Sequence, residues 1–142
     1  MNKDTTLLST TLSIRISTDG FCFCTYDSQR PESVRYNYYE CDSSLTLALN
    51  FDEAWKGSGL AGMQFNTVPV IVATTEFTSV PGEYDRKEDY EQLFGSCFDI
   101  RDRRLKVLAN KMSAQDMAVL FAVDEELYRR VCEIGNVSFY ST

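Results

Sequence analysis

The stretch LSIRISTDGFCFCTYD, residues 12–27, decides how the fold is read. Leu12, Ile14 and Ile16 alternate with Ser13, Arg15 and Ser17, the period of a strand with one buried face. Asp19-Gly20 follows, and Phe21 to Asp27 resumes an extended run. Asp-Gly between two such runs predicts a hairpin with a type I′ turn, which needs positive φ at both central residues. Closing the turn on that dipeptide sets Thr18 opposite Phe21, Ile16 opposite Phe23 and Ile14 opposite Thr25, so the apolar faces match.

Downstream, SQRPES ends the second strand at Pro31, and the β-branched and aromatic run VRYNYYEC, 34–41, reads as a third strand. The chain therefore opens as a three-strand antiparallel meander. Asp42-Ser43-Ser44 offers helix caps. Leu47, Ala48, Phe51, Ala54 and Trp55 then mark one face of a helix near 45–56. A strand through Leu45, Leu47 and Leu49 competes, but the helical period runs on to Trp55. TVPVIVATT, 67–75, is nearly continuous in apolar residues, as expected of a strand covered on both faces. Pro69 places itself at the start of that strand or at a bulge. A right-handed crossover through the helix would set this strand parallel to the first.

The remainder reads as a short extended piece at 77–81 and a helix at 83–94 with Tyr90, Leu93 and Phe94 inward. Strands follow at 104–112 and 117–123. A helix capped by Asp124 comes next, with Leu127, Val131 and Ile134 buried, Arg130 four residues after Glu126, and Gly135 at its end. A last strand is expected at 136–142.

GSGLAG, 57–62, fits G-x-G-x-x-G. That fingerprint holds pyrophosphate only when it follows a strand and opens a helix. Here the glycines follow a helix and precede a strand. Gly57 or Gly59 is expected to close the helix in the left-handed conformation, and no nucleotide contact is expected there.

The 142 residues suit one domain, 1–142, or one lobe of a larger protein. The formal net charge of −7 argues against a nucleic-acid partner. The one basic cluster, Arg101 to Arg104, contains Asp102 and reads as a solvated loop. No apolar run approaches the ~20 residues that cross a bilayer, and MNKDTTLLSTTLSI lacks the features of a signal peptide. A cytoplasmic protein is the expectation. Five cysteines, with no C-x-x-C spacing and no histidine, fit neither a disulfide framework nor an ordinary zinc site. Cys22 and Cys24 point the same way and are expected to be small buried hydrophobes. Without histidine the chain contains no Ser-His or Cys-His nucleophile pair.

The order of elements, meander, helix, covered strand and further α/β units, resembles the ribonuclease-H-like lobe of actin-like ATPases. More specifically, LSIRISTDGFCFCTYD, FTSVPGEYDRKEDYEQLF and MAVLFAVDEELYRRV are similar to a bacterial family of uncharacterised proteins with that fold. The resemblance covers roughly residues 10–142. It implies an α/β lobe with a mixed sheet and helices on its faces, the first of two lobes. It also implies a second lobe, or another protein, as partner. Actin-like ATPases carry an Asp at the end of the first strand for Mg²⁺, and small hydroxyl residues in the first hairpin for phosphate. This chain has Arg15 and Ser17 at the nearby polar positions, and only Asp19-Gly20 in the turn.

Three functions follow as expectations. The first is a non-catalytic interaction or scaffold lobe, with neither catalytic nor metal residues. The second is a lobe that binds or hydrolyses ATP with magnesium, for which Asp19 and Gly20 would be the cofactor-binding residues. The third, a nuclease of ribonuclease-H type, lacks the first-strand carboxylate. An interaction lobe would expose an apolar face, for which Tyr128, Val137, Phe139 and Tyr140 are candidates, although the same residues could fill the core.

Overall fold

The computed structural model describes residues 10–142. Most of the stretch read against a signal peptide therefore lies outside the described residues. The meander is present as β1 (Thr10–Ile16), β2 (Gly20–Asp27) and β3 (Arg30–Glu40). Its first turn differs from expectation. Ile16 faces Phe21, Ile14 faces Phe23 and Leu12 faces Thr25, so each partner lies two residues from the expected one. A shift of two keeps every side chain on its expected face, so the apolar alternation could not detect it. Thr18 and Asp19 occupy the turn, and neither has positive φ, so the turn is not type I′. Gly20 opens β2 opposite Glu40. A Cβ there would come within 2.5 Å of the Tyr39 carbonyl oxygen, so close approach of β3, not positive φ, requires the glycine.

The third strand starts earlier than expected and runs through Pro31. This is allowed because β3 is an edge strand, where one face of the backbone needs no N–H donor. The helix α1 (Leu47–Ser58) follows. Its cap is Thr46, whose hydroxyl accepts from the Leu49 N–H, and not a residue of Asp42-Ser43-Ser44. Asp42 instead accepts from the Ser44 N–H and hydroxyl in a local turn. Leu45 to Phe51 forms no strand. Gly59 closes α1 with φ 74°, and Gly57 lies within the helix. Gly59→Ala should cost about 1 kcal/mol, read by urea unfolding, because the left-handed conformation disfavours any Cβ.

The strand β4 (Val68–Val72) lies parallel to β1. Next come β5 (Phe77–Pro81), two 3-10 turns, and α2 (Tyr90–Cys97), so the helix expected from residue 83 starts later. The strands β6 (Leu105–Met112) and β7 (Met117–Asp124) form a hairpin, and α3 (Glu125–Cys132) and β8 (Val137–Ser141) finish the chain. The main sheet has five strands in the order β3-β2-β1-β4-β8, and β5-β7-β6 make a separate sheet. Phe94 of α2 is buried against Val80, Ala118 and Leu120 of that smaller sheet, and Tyr90 and Leu93 pack beside it.

Both long connections, β3 to β4 through α1 and β4 to β8 through α3, step the same way along the sheet. Right-handed crossovers of one direction deliver their helices to one face. Phe51 and Ala54 of α1 and Leu127 and Val131 of α3 accordingly share one core with Leu12, Ile14, Phe21 and Val70. Arg130 of α3 pairs with Asp52 of α1 as well as with Glu126.

Two expectations fail for this reason. β4 is not covered on both faces: Val68, Val70 and Val72 are buried, while Pro69 and Ile71 are half-buried on the other side. Cys22 and Cys24 are not core residues, because Phe21 and Phe23 take the covered side and leave the cysteines on the side that carries no helix among the described residues.

Candidate functional site

An open cleft of about 600 Å³ lies beyond the carboxyl ends of β1 and β4. Ends of parallel strands are where α/β sheets commonly place ligands. One wall is Ser17 and Thr18, running from β1 into the hairpin. A second is the segment from Ala73 to Glu76 that leaves β4. The loop from Asp102 to Leu105 and the start of α3 close the far side.

Charge in the cleft is largely committed. Arg103 grips Glu76 through both guanidinium ends, at 2.8 and 3.1 Å. That bond holds the Glu76 carboxyl below its usual value. Asp124 caps α3 by accepting from the Leu127 N–H at 3.0 Å. Asp102 is exposed in the loop, held at φ 62°. Arg104 is exposed, without an ion-pair partner among the described residues. The basic cluster is thus a solvated loop. Arg101 pairs with Asp99 and Arg103 with Glu76, which leaves no continuous phosphate patch.

The Glu76 bond gives a signed pH effect. A folded pKa below the unfolded one stabilises above the unfolded value of about 4.5, and the contribution fades as pH falls through the folded value. Glu76→Gln should therefore lose less stability than the wild type on acidification below pH ~4.5. Parallel acid titrations of unfolding check this, and coincident curves would refute it.

Of the sequence-derived candidates, Asp19 and Gly20 adjoin the cleft without lining it, whereas their neighbours Ser17 and Thr18 do line it. The Asp19 carboxylate accepts from the Ser17 hydroxyl at 2.6 Å, which lowers its pKa, and its carbonyl accepts from the Cys41 N–H at 2.9 Å. Gly20 is buried in the β2–β3 pairing. GSGLAG lies at the far end of α1, away from this cleft. Tyr128, Val137 and Phe139 pack against the main core, whereas Tyr140 is 45% exposed on the opposite face. Glu76, Arg103 and Arg104 were missed as site residues. Their sequence signal is weak, since it takes the chain reversal through the smaller sheet to bring residue 76 beside residue 103.

This chain matches, over residues 2–140, the family described as protein of unknown function (DUF3822). It belongs to that family. A solved structure from Bacteroides thetaiotaomicron VPI-5482, described as a protein with actin-like ATPase fold and unknown function, superimposes with a TM-score of 0.83 at 29% identity. The match covers 99% of this family member and 55% of that chain. The present chain thus spans about half of its neighbour's length, and its fold is the actin-like one that the meander and crossover pointed to. No curated protein matches it. No described helix is long and apolar enough to cross a membrane.

Proposed function

We propose that this chain is a non-catalytic interaction lobe of actin-like fold, working in the bacterial cytoplasm against a second lobe or another protein. The observation that carries the proposal is the donor set of the cleft. An actin-like ATPase implies a nucleotide with Mg²⁺, and Mg²⁺ needs oxygen ligands, at least one a carboxylate. Ser17 follows β1 with its hydroxyl on the Gly20 carbonyl, Glu76 is gripped by Arg103, Asp124 caps α3, and Asp102 stands exposed in its loop without an ion-pair partner among the described residues. Among the described residues no three ligating side chains converge. Asp102 is the one uncommitted carboxylate the cleft offers Mg²⁺, and it lies on the loop before β6 rather than at the end of the first strand, where an actin-like ATPase carries its Asp. Phosphoryl transfer depends on such a cation to offset charge.

A second reading, an ATP-binding lobe, is favoured by the size and place of the cleft and by the hydroxyls of Ser17 and Thr18 in its wall. Thermal unfolding with and without millimolar Mg²⁺-ATP separates the two. The interaction reading expects no rise in Tm. A ligand present at 100 times its Kd would stabilise by about 2.7 kcal/mol, a rise of several degrees. Such a rise, or phosphate release lost in Asp19→Ala, would replace the first reading by the second.

A further inference from the structure

The face of the main sheet away from α1 and α3 carries two thiols on one strand. Cys22 and Cys24 lie two apart in β2, and each is half-buried. The register sets Arg15 of β1 opposite Cys22, and Ser13 opposite Cys24. On the other flank, Tyr36 of β3 stands opposite Cys24. Its hydroxyl reaches diagonally to the Cys22 thiol, and that contact holds the Tyr36 pKa above its usual value, with a smaller push from Cys24. Both thiols therefore lie close to one hydroxyl. Arg15 is exposed and has no ion-pair partner among the described residues.

The spacing of the thiols excludes one chemistry and permits another. Same-face residues two apart on an antiparallel strand are separated by ~6.8 Å. A disulfide needs Cβ atoms about 3.5–4.5 Å apart, so these thiols cannot oxidise to one another unless the backbone moves. An ion between them fits better. Two metal–thiolate bonds of about 2.3 Å put the sulfurs ~4.6 Å apart, which each side chain reaches by leaning inward ~1 Å.

The donors select the ion. The chain has no histidine, and among the described residues no three His, Cys, Asp or Glu side chains converge. That set suits neither tetrahedral Zn²⁺ nor the oxygen-seeking cations, whereas thiolates alone suit soft, monovalent Cu(I). Two thiolates and one Cu⁺ leave a net charge of −1. Arg15 lies directly across from Cys22 to offset it, and the Tyr36 hydroxyl can donate to the Cys22 thiolate.

We propose that Cys22 and Cys24 form a two-coordinate Cu(I) site, with Arg15 and Tyr36 as its outer partners. Binding releases the two thiol protons to solvent, and no electron is transferred. The site is independent of the cleft and of the interaction reading.

The reduced protein is titrated without oxygen against Cu(I) held by the chelator bicinchoninate. Iodoacetamide labelling, mapped by mass spectrometry, then shows which thiols hold the ion. One Cu(I) should bind per chain, with Cys22 and Cys24 shielded and exposed Cys97 still labelled. Cys22→Ser and Cys24→Ser should each abolish capture, and Cys97→Ser should leave it unchanged. Arg15→Gln should weaken capture about tenfold, the usual cost of losing an outer partner. X-ray absorption of the wild-type complex should show two sulfur neighbours and no nitrogen or oxygen, a result that needs no variant to fold. Capture that survives loss of either thiol, shielding of Cys97, or unchanged affinity in Arg15→Gln would overturn the proposal. So would a nitrogen or oxygen neighbour, or a copper-dependent dimer on size-exclusion chromatography, which would mean that thiols of two copies share the ion.

Discussion

Truncating Phe51 to alanine should lower the unfolding free energy by about 3–5 kcal/mol, the usual cost of an emptied aromatic core site. Phe51 is 2% exposed and lies on the helix that carries the chain from β3 to β4. Its ring meets Phe21 edge-on at 5.5 Å and Phe23 at 6.0 Å, and it stacks on Trp55 at 6.1 Å. Removing it therefore empties the junction between crossover and meander. No single neighbour can fill the space, because the surrounding rings are held by their own strands and helix. Phe51→Leu keeps much of the volume and should cost closer to ~1.5 kcal/mol. Urea unfolding followed by circular dichroism measures both. A loss below ~1 kcal/mol for the alanine variant would mean that the crossover helix is not anchored as described.

The elements that sequence reasoning found share one property: their signal is local. The alternation from Leu12 to Ile16, the stripe from Leu47 to Trp55 and the Asp124 cap each depend on neighbours within a few turns or strand steps. Together they gave the mixed sheet, the parallel β4 and the actin-like class. What they could not give depends on distant pairs. The hairpin register moved by two residues because the decisive contact is Gly20 against Tyr38 and Tyr39 of another strand. Pairing of β7 with β5 and β6 in a separate sheet, rather than with the main one, leaves no local trace.

The candidate site was less legible still. Asp19-Gly20 attracted notice as the acidic glycine turn of the first hairpin. The cleft is instead walled by Ser17, Thr18 and the Glu76–Arg103 pair. Cys22 and Cys24 illustrate the same limit on the other side of the sheet. Their spacing put both on one side of the strand, but whether a layer covers that side is set by crossover direction, which is a property of the whole chain.

Asn50 is the second large expected effect, and it arises from a residue whose neighbours gave no warning. It is 1% exposed, the one buried polar side chain among the described residues. Its Nδ2 donates to the carbonyls of Asp42, Leu45 and Thr46, and its Oδ1 accepts from the Asp42 N–H at 2.7 Å. One amide thereby satisfies the backbone of the turn that joins β3 to α1 and sets where the crossover begins. Asn50→Ala leaves those carbonyls and that N–H short of partners in a place water reaches poorly, at a cost of about 1–3 kcal/mol. At roughly 3 °C per kcal/mol for a chain of this size, Tm should fall by several degrees. Asn50→Asp should cost more, because it is nearly isosteric yet replaces the donor with an oxygen facing three carbonyls. Thermal and urea unfolding of the two variants give the ranking. If aspartate is tolerated as well as alanine, or if alanine changes stability by less than ~0.5 kcal/mol, the turn is held by something other than this amide.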